Sequence, residues 1–183
     1  MVARTFAGWS VGFVLAIALL VLVEVLGAPT VQFPLALGMG LGVGALQTPV
    51  LRRAFPGTRG WVTATALGLS APFALSDTLQ LAGVALPFSL PAHVAVGGVL
   101  AAVLQWRLLR GVIDRAERAW WWLVVTPPGW LLAGSTVWLN EMLPKIPGIV
   151  GALLYVAVVL AGGLVLGAAS AVSWERMVRP RRP

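Results

Sequence analysis

Long apolar stretches, each cut short by a knot of proline, glycine or charge, set the rhythm of this chain. The cuts fall at 29–34, 56–60, 86–91, 114–118 and 144–148, and the apolar segments between them run over 6–27, 34–55, 60–84, 91–113, 119–143 and 148–174. A helix needs roughly 20 mostly apolar residues to cross the hydrocarbon of a bilayer. The pattern therefore predicts an all-α polytopic membrane bundle of about six transmembrane helices. Four of the five connections are tight, which makes successive helices antiparallel neighbours.

Composition supports lipid as the solvent. Of 183 residues, 59% are hydrophobic and only 10% charged, and a core of this size cannot hide that excess of apolar surface. The net charge of +7 raises nucleic acid as a partner. The basic residues, however, flank membrane-length apolar runs rather than interleaving with aromatics on a soluble face, so no nucleic acid is expected. Threading six spans through the chain puts Arg4, Arg52, Arg53, Arg59, Arg107, Arg110, Arg115, Arg118, Arg176, Arg179, Arg181 and Arg182 on one side and leaves Lys145 alone on the other. Cytoplasmic segments are the ones enriched in Lys and Arg. The expected location is the inner (plasma) membrane, with both termini cytoplasmic. Glu24 and the poor cleavage site at Leu26-Gly27-Ala28 make the first segment a retained span rather than a signal peptide. Most tryptophans, Trp9, Trp61, Trp106, Trp120, Trp121, Trp122 and Trp174, fall near the arginine-rich boundary and read as interfacial anchors, with Trp130 deeper and Trp138 toward the other side.

One pattern occurs twice. "GALQTPVLRR" (44–53) and "AVLQWRLLRG" (102–111) place Gln47 on Gln105, Leu51 on Leu109 and Arg52 on Arg110; the match continues with Trp61, Thr65 and Gly68 on Trp122, Thr126 and Gly129. "GLVLGAASAVSWERMVR" (163–179) reads as a third, decayed copy that lacks the glutamine. One integral membrane domain over 1–183 then contains parallel pseudo-repeated hairpins at about 34–84 and 91–143, a degenerate unit from 148, and a basic tail over 175–183. The first helix is a circular partner for the sixth. Such a parallel repeat differs from the inverted repeat common in secondary transporters.

The motif G-x-x-x-G-x-x-Q-[TW]-x-x-L-R, followed by a basic turn and tryptophan, resembles that of a widespread group of small, uncharacterised multi-pass bacterial membrane proteins. The likeness covers about 38–134, with an echo in 148–179. Thr48-Pro49 stands where the second copy has Trp106-Arg107, which departs from the repeat. The resemblance implies a fold and no activity.

Physical chemistry assigns roles to the motif residues. Arg52 and Arg110 end their spans, where arginine snorkels to phosphate and favours the negative end of the helix dipole. Trp106 lies one helical turn before Arg110 and can stack beneath it. Gln47 and Gln105 lie about 7 Å deeper, at 1.5 Å per residue, and amides there need partners on neighbouring helices. Two uses stand open for them: interhelical glue, or a symmetric pair lining a lipid-head-group or solute pocket. Gly38, Gly40, Gly42 and Gly44, with Gly8/Gly12 and Gly163/Gly167, predict close backbone packing.

The opposite half holds candidate ligand-binding residues: Asp77 and Gln80, three apart on one helix face, with His93, Asn140 and Glu141. Polar groups inside a membrane are functional candidates by default. Pro72 and Pro127-Pro128 free backbone carbonyls and are expected to bend their helices around an outward-facing cleft. No G-x-S-x-G elbow, H-E-x-x-H pair or phosphate loop occurs. With no cysteine and one histidine, no metal or other cofactor is expected, and no enzymatic activity. Two functions remain. The first is a non-catalytic inner-membrane protein that acts through helix packing with lipid, another membrane protein or a second copy of itself. The alternative is a small-solute transporter or substrate-binding membrane subunit with an outward-facing polar cleft, similar in size and span number to the substrate-capture subunits of vitamin importers.

Overall fold

The structure, a computed structural model, describes residues 1–27, 31–84, 89–113, 116–142 and 146–178. Every regular element among them is a helix: α1 (Val2–Val25), α2 (Phe33–Ala54), α3 (Trp61–Leu81), α4 (Leu90–Arg110), α5 (Ala116–Met142) and α6 (Gly148–Val178). All ends lie within a few residues of the sequence boundaries. The largest differences are the start of α1, residue 2 against 6, and the end of α6, residue 178 against 174.

Local chemistry sets these ends. Pro34 and Pro91 open α2 and α4 in the first turn, where a missing N–H is harmless. At the end of α3, Gly83 takes φ +81°. Its N–H donates to the Gln80 carbonyl (3.0 Å) and the Val84 N–H to that of Leu79 (2.9 Å). This is the double closure that a left-handed glycine allows a helix C-terminus. The interior prolines do not interrupt their elements: α3 runs through Pro72 and α5 through Pro127 and Pro128 as single helices.

Each helix packs on its neighbours in sequence, and α1 also packs on α6, so the six close into a ring. Four of them, α1, α2, α4 and α6, are long and apolar enough to cross a membrane. α3 and α5, of 21 and 27 residues, are not among these four. The reason is visible in α3, whose polar residues Thr65, Ser70, Ser76 and Asp77 are all buried within the bundle.

Glycine brings the backbones together. On α2, a Cβ at Gly38 would lie 2.5 Å from the Ala16 nitrogen of α1, and one at Gly42 would overlap the Gly12 backbone. A Cβ at Gly40 would lie 2.7 Å from Ala66 Cα of α3, and one at Gly44 3.0 Å from Val62 Cα. The two interleaved G-x-x-x-G patterns therefore serve two neighbours: Gly38 and Gly42 face α1, Gly40 and Gly44 face α3. Without a hydrophobic effect between lipid-exposed helices, this close van der Waals fit is a main source of association. Gly163 does the same service on α6, lying under the Trp9 ring of α1.

The core has two layers. One, at the arginine-rich end, contains Leu51, Trp61, Leu109, Trp122 and Met177. The other includes Trp9, Val43, Phe73, Trp130 and Leu166 and continues toward the opposite end.

Candidate functional site

The two motif glutamines hold a belt of side-chain hydrogen bonds near the basic end. Gln105 on α4 donates from Nε2 to Thr65 Oγ1 of α3 (2.7 Å) and accepts at Oε1 from Trp122 Nε1 of α5 (2.7 Å). Gln47 on α2 donates to Thr5 Oγ1 of α1 (3.1 Å) and to Ser170 Oγ of α6 (3.4 Å), and accepts from Trp61 Nε1 of α3 (3.1 Å). Thr65 passes its own hydroxyl proton back to the Trp61 carbonyl (2.8 Å), which joins the two sets. All six helices are thus tied by one polar network. Gln47 and Gln105 are 2% and 1% exposed, so their amides are spent inside the protein. This is what glue requires, and it leaves neither amide turned toward a pocket.

Trp61 and Trp122 close the middle of the ring at this level. Their rings meet edge to face, 5.0 Å between centroids and 71° between planes, a favourable geometry for aromatic quadrupoles. Both are essentially fully buried, as are Trp9 and Trp130. This corrects the anchoring expectation for Trp9, Trp61 and Trp122, which lie in the interior, whereas Trp120, Trp121 and Trp138 are exposed as anchors would be. A tryptophan at the start of a helix near the membrane boundary looks alike in sequence whether it faces inward or outward.

Arg52 and Arg110 are exposed at the ends of α2 and α4. The Arg110 guanidinium lies over the Trp106 ring at 4.9 Å, as the one-turn spacing anticipates, and Arg176 over Trp121 at 5.0 Å repeats the device. Among the described residues, two buried side-chain polar atoms lack partners, Trp106 Nε1 and Thr126 Oγ1. The second is informative. Thr126 follows Trp122 by four residues as Thr65 follows Trp61, but Ser170, three residues after Gly167 as Gln47 is after Gly44, is too short to serve it and instead accepts from Gln47.

The described candidates at the end opposite the arginines take separate environments. Asp77 is buried, and its Oδ2 accepts from the backbone N–H groups of Gln32 (2.8 Å) and Phe33 (2.7 Å). It therefore caps the N-terminus of α2, whose own N-cap residue supplies no side-chain bond. Gln80 is exposed, so the two do not share an environment despite their spacing. His93 is half-buried, with Nδ1 2.9 Å from the Ser89 carbonyl and its ring 5.2 Å from that of Phe73. The side chains of Asn140 and Glu141 lie outside the described residues.

The half of the bundle away from the arginines does contain a cavity, of about 80 Å³, but its walls are apolar. All six helices contribute, through residues such as Phe13, Leu35, Phe73, Val94, Trp130 and Tyr155. None of Asp77, Gln80 and His93 lines it. Sequence reasoning missed this space because its lining residues are ordinary core types with no motif of their own. At the basic end, a hollow of about 440 Å³ is bounded by Phe55, Ile113, Arg118 and Met177, among others.

No family model matches the chain, and no curated protein or solved structure is significantly similar to it.

Proposed function

We propose that the chain is a non-catalytic, six-span inner-membrane protein, with both termini on the cytoplasmic side, that acts by holding lipid or another membrane protein against its helices. One observation carries this reading: the repeated motif is consumed in tying the helices together, so its polar groups are architectural. What remains for recognition includes two apolar features, the exposed faces of α1 and α6 and the outer cavity.

The architecture is a set of pseudo-repeated hairpins, α2–α3, α4–α5 and, across the termini, α6–α1. Spacing supports the third pair. Met1, Thr5 and Gly8 follow one another at four and three residues, as do Trp61, Thr65 and Gly68, and Trp122, Thr126 and Gly129. Thr5 also receives Gln47 as Thr65 receives Gln105. The resemblance to small multi-pass bacterial membrane proteins agrees with this layout, and the arginines at one end favour the cytoplasmic orientation. The solute-transport alternative has less support, because Asp77, its central residue, is engaged in capping α2.

Native mass spectrometry of the protein released from mild detergent tests the reading. A bound phospholipid or a second polypeptide is the expected result. A bare monomer, under conditions that preserve the helical fold by circular dichroism, overturns it.

A further inference from the structure

Along the α1–α6 side of the ring, burial is confined to the basic half. The contacts that join α1 to α6 lie low on both helices: Trp9 Nε1 donates to the Val159 carbonyl (2.8 Å), Gly162 and Gly163 lie against the Trp9 ring, and Gly167 lies near Val2. Beyond them the two helices lose cover. No residue of α1 from Ile17 onward is buried, and none of α6 from Gly148 to Val158 is. Phe13 of α1 and Tyr155 of α6 both line the apolar cavity, and Tyr155 is also 42% exposed. An apolar space walled on one side by these two sparsely covered helices, with an exposed tyrosine on its wall, offers a lateral cleft along the α1–α6 seam.

We propose that this cleft binds an acyl chain of a membrane lipid, entering sideways between α1 and α6. The inference rests on the six-span membrane reading and names the lipid-binding part of it. Three properties favour a chain over other occupants. The lining is apolar, and the Trp9 indole N–H on its wall is already bound to Val159, so a polar solute would leave its own groups unpaired. A helix with side chains is about 10–12 Å across, too thick for a space of about 80 Å³, which excludes insertion of a second copy's helix. A hydrocarbon chain is thin, flexible and present at high concentration on the lipid side of the seam, and it carries no polar group that an apolar wall would leave unpaired. The half-buried Phe13 and the exposed Tyr155 supply aromatic van der Waals surface for it.

The probe is phosphatidylethanolamine carrying a photoactivatable diazirine midway along one acyl chain, incorporated with the full-length protein in vesicles. After irradiation, adducts are mapped by peptide mass spectrometry. Adducts are expected on Phe73 and Trp130, which are buried and reached only through the cavity, as well as on exposed residues such as Leu153 and Leu164. Filling the cavity with Val137→Phe, or separately with Ala36→Phe, is expected to abolish the interior adducts and leave the exposed ones. Retained helicity of each variant by circular dichroism shows that the loss is not unfolding. Adducts on exposed residues alone in the wild-type protein overturn the cleft while leaving the membrane reading intact. Absence of adducts everywhere overturns the membrane reading itself. Interior adducts that persist in both filled variants show another route inward, and also overturn the proposal.

Discussion

Two threonines in equivalent places experience opposite circumstances. Thr65 accepts from Gln105 and donates to the Trp61 carbonyl; Thr126 is buried with its hydroxyl unpartnered. A buried polar group that loses its partner costs about 1–3 kcal/mol, while removing an unpaired one is close to neutral or stabilising. Gln105→Leu strands the Trp122 indole N–H and removes a donor from Thr65, so we expect a loss of about 1–3 kcal/mol, tempered by the modest average of about 0.6 kcal/mol for hydrogen bonds between membrane helices. Thr126→Val is expected to leave stability unchanged or raised. Thermal unfolding of both variants in one detergent, followed by circular dichroism, checks the contrast; equal destabilisation by the two would contradict the belt. The participants were partly legible in advance. Gln47, Gln105, Trp61, Thr65 and Trp122 all stand out through recurrence, but the pairing does not. Thr5 lies 42 positions from Gln47, and only the closure of α1 onto α2 and α6 makes it a partner.

At the scale of the helix, glycine spacing was the most readable feature, because close approach leaves a direct compositional trace. Its division of labour was not, since 100° of rotation per residue sends Gly38 and Gly42 to one neighbour and Gly40 and Gly44 to another only once both neighbours are placed. Gly42→Val forces a side chain into the Gly12 backbone and is expected to destabilise the protein by about 1–3 kcal/mol or more, as overpacking does. Gly111→Ala, where a Cβ meets nothing closer than 3.6 Å and φ is −80°, is the matched control and is expected to be neutral. Urea-free thermal melts distinguish the two; a neutral Gly42→Val would show that α1 and α2 can part freely. Helix boundaries were legible from proline and glycine to within a few residues. The absence of α3 from the four apolar spans has an interior cause, since hydropathy registers that Thr65, Ser70 and Asp77 are polar and not that they face the bundle. Asp77 and Gln80 do not act together for a related reason: a carboxylate three residues from an amide gives no hint that a helix N-terminus elsewhere in the chain will claim it.

The molecule as a whole is an asymmetric ring, locked by glutamine, threonine and tryptophan at its basic end and sparsely buried along α1 and α6 at the other. That asymmetry has a functional consequence if the ring spans a bilayer with the arginines inside, because the lock then lies toward the cytoplasmic leaflet and the apolar cleft toward the outer one. The chain has no cysteine, so single cysteines introduced at connections report sidedness without background. Accessibility to a membrane-impermeant maleimide, before and after permeabilising intact cells, is the most direct test. Pro56→Cys and Gly111→Cys at the basic end should label only after permeabilisation. Leu26→Cys, Ala82→Cys and Ile146→Cys at the opposite end should label at once. Pro56 and Ala82 flank α3, and Gly111 and Ile146 flank α5, so the two helices outside the four apolar spans are each bracketed. Opposite labelling across both pairs is the predicted result; the same labelling at the two ends of either helix would contradict the six-span ring.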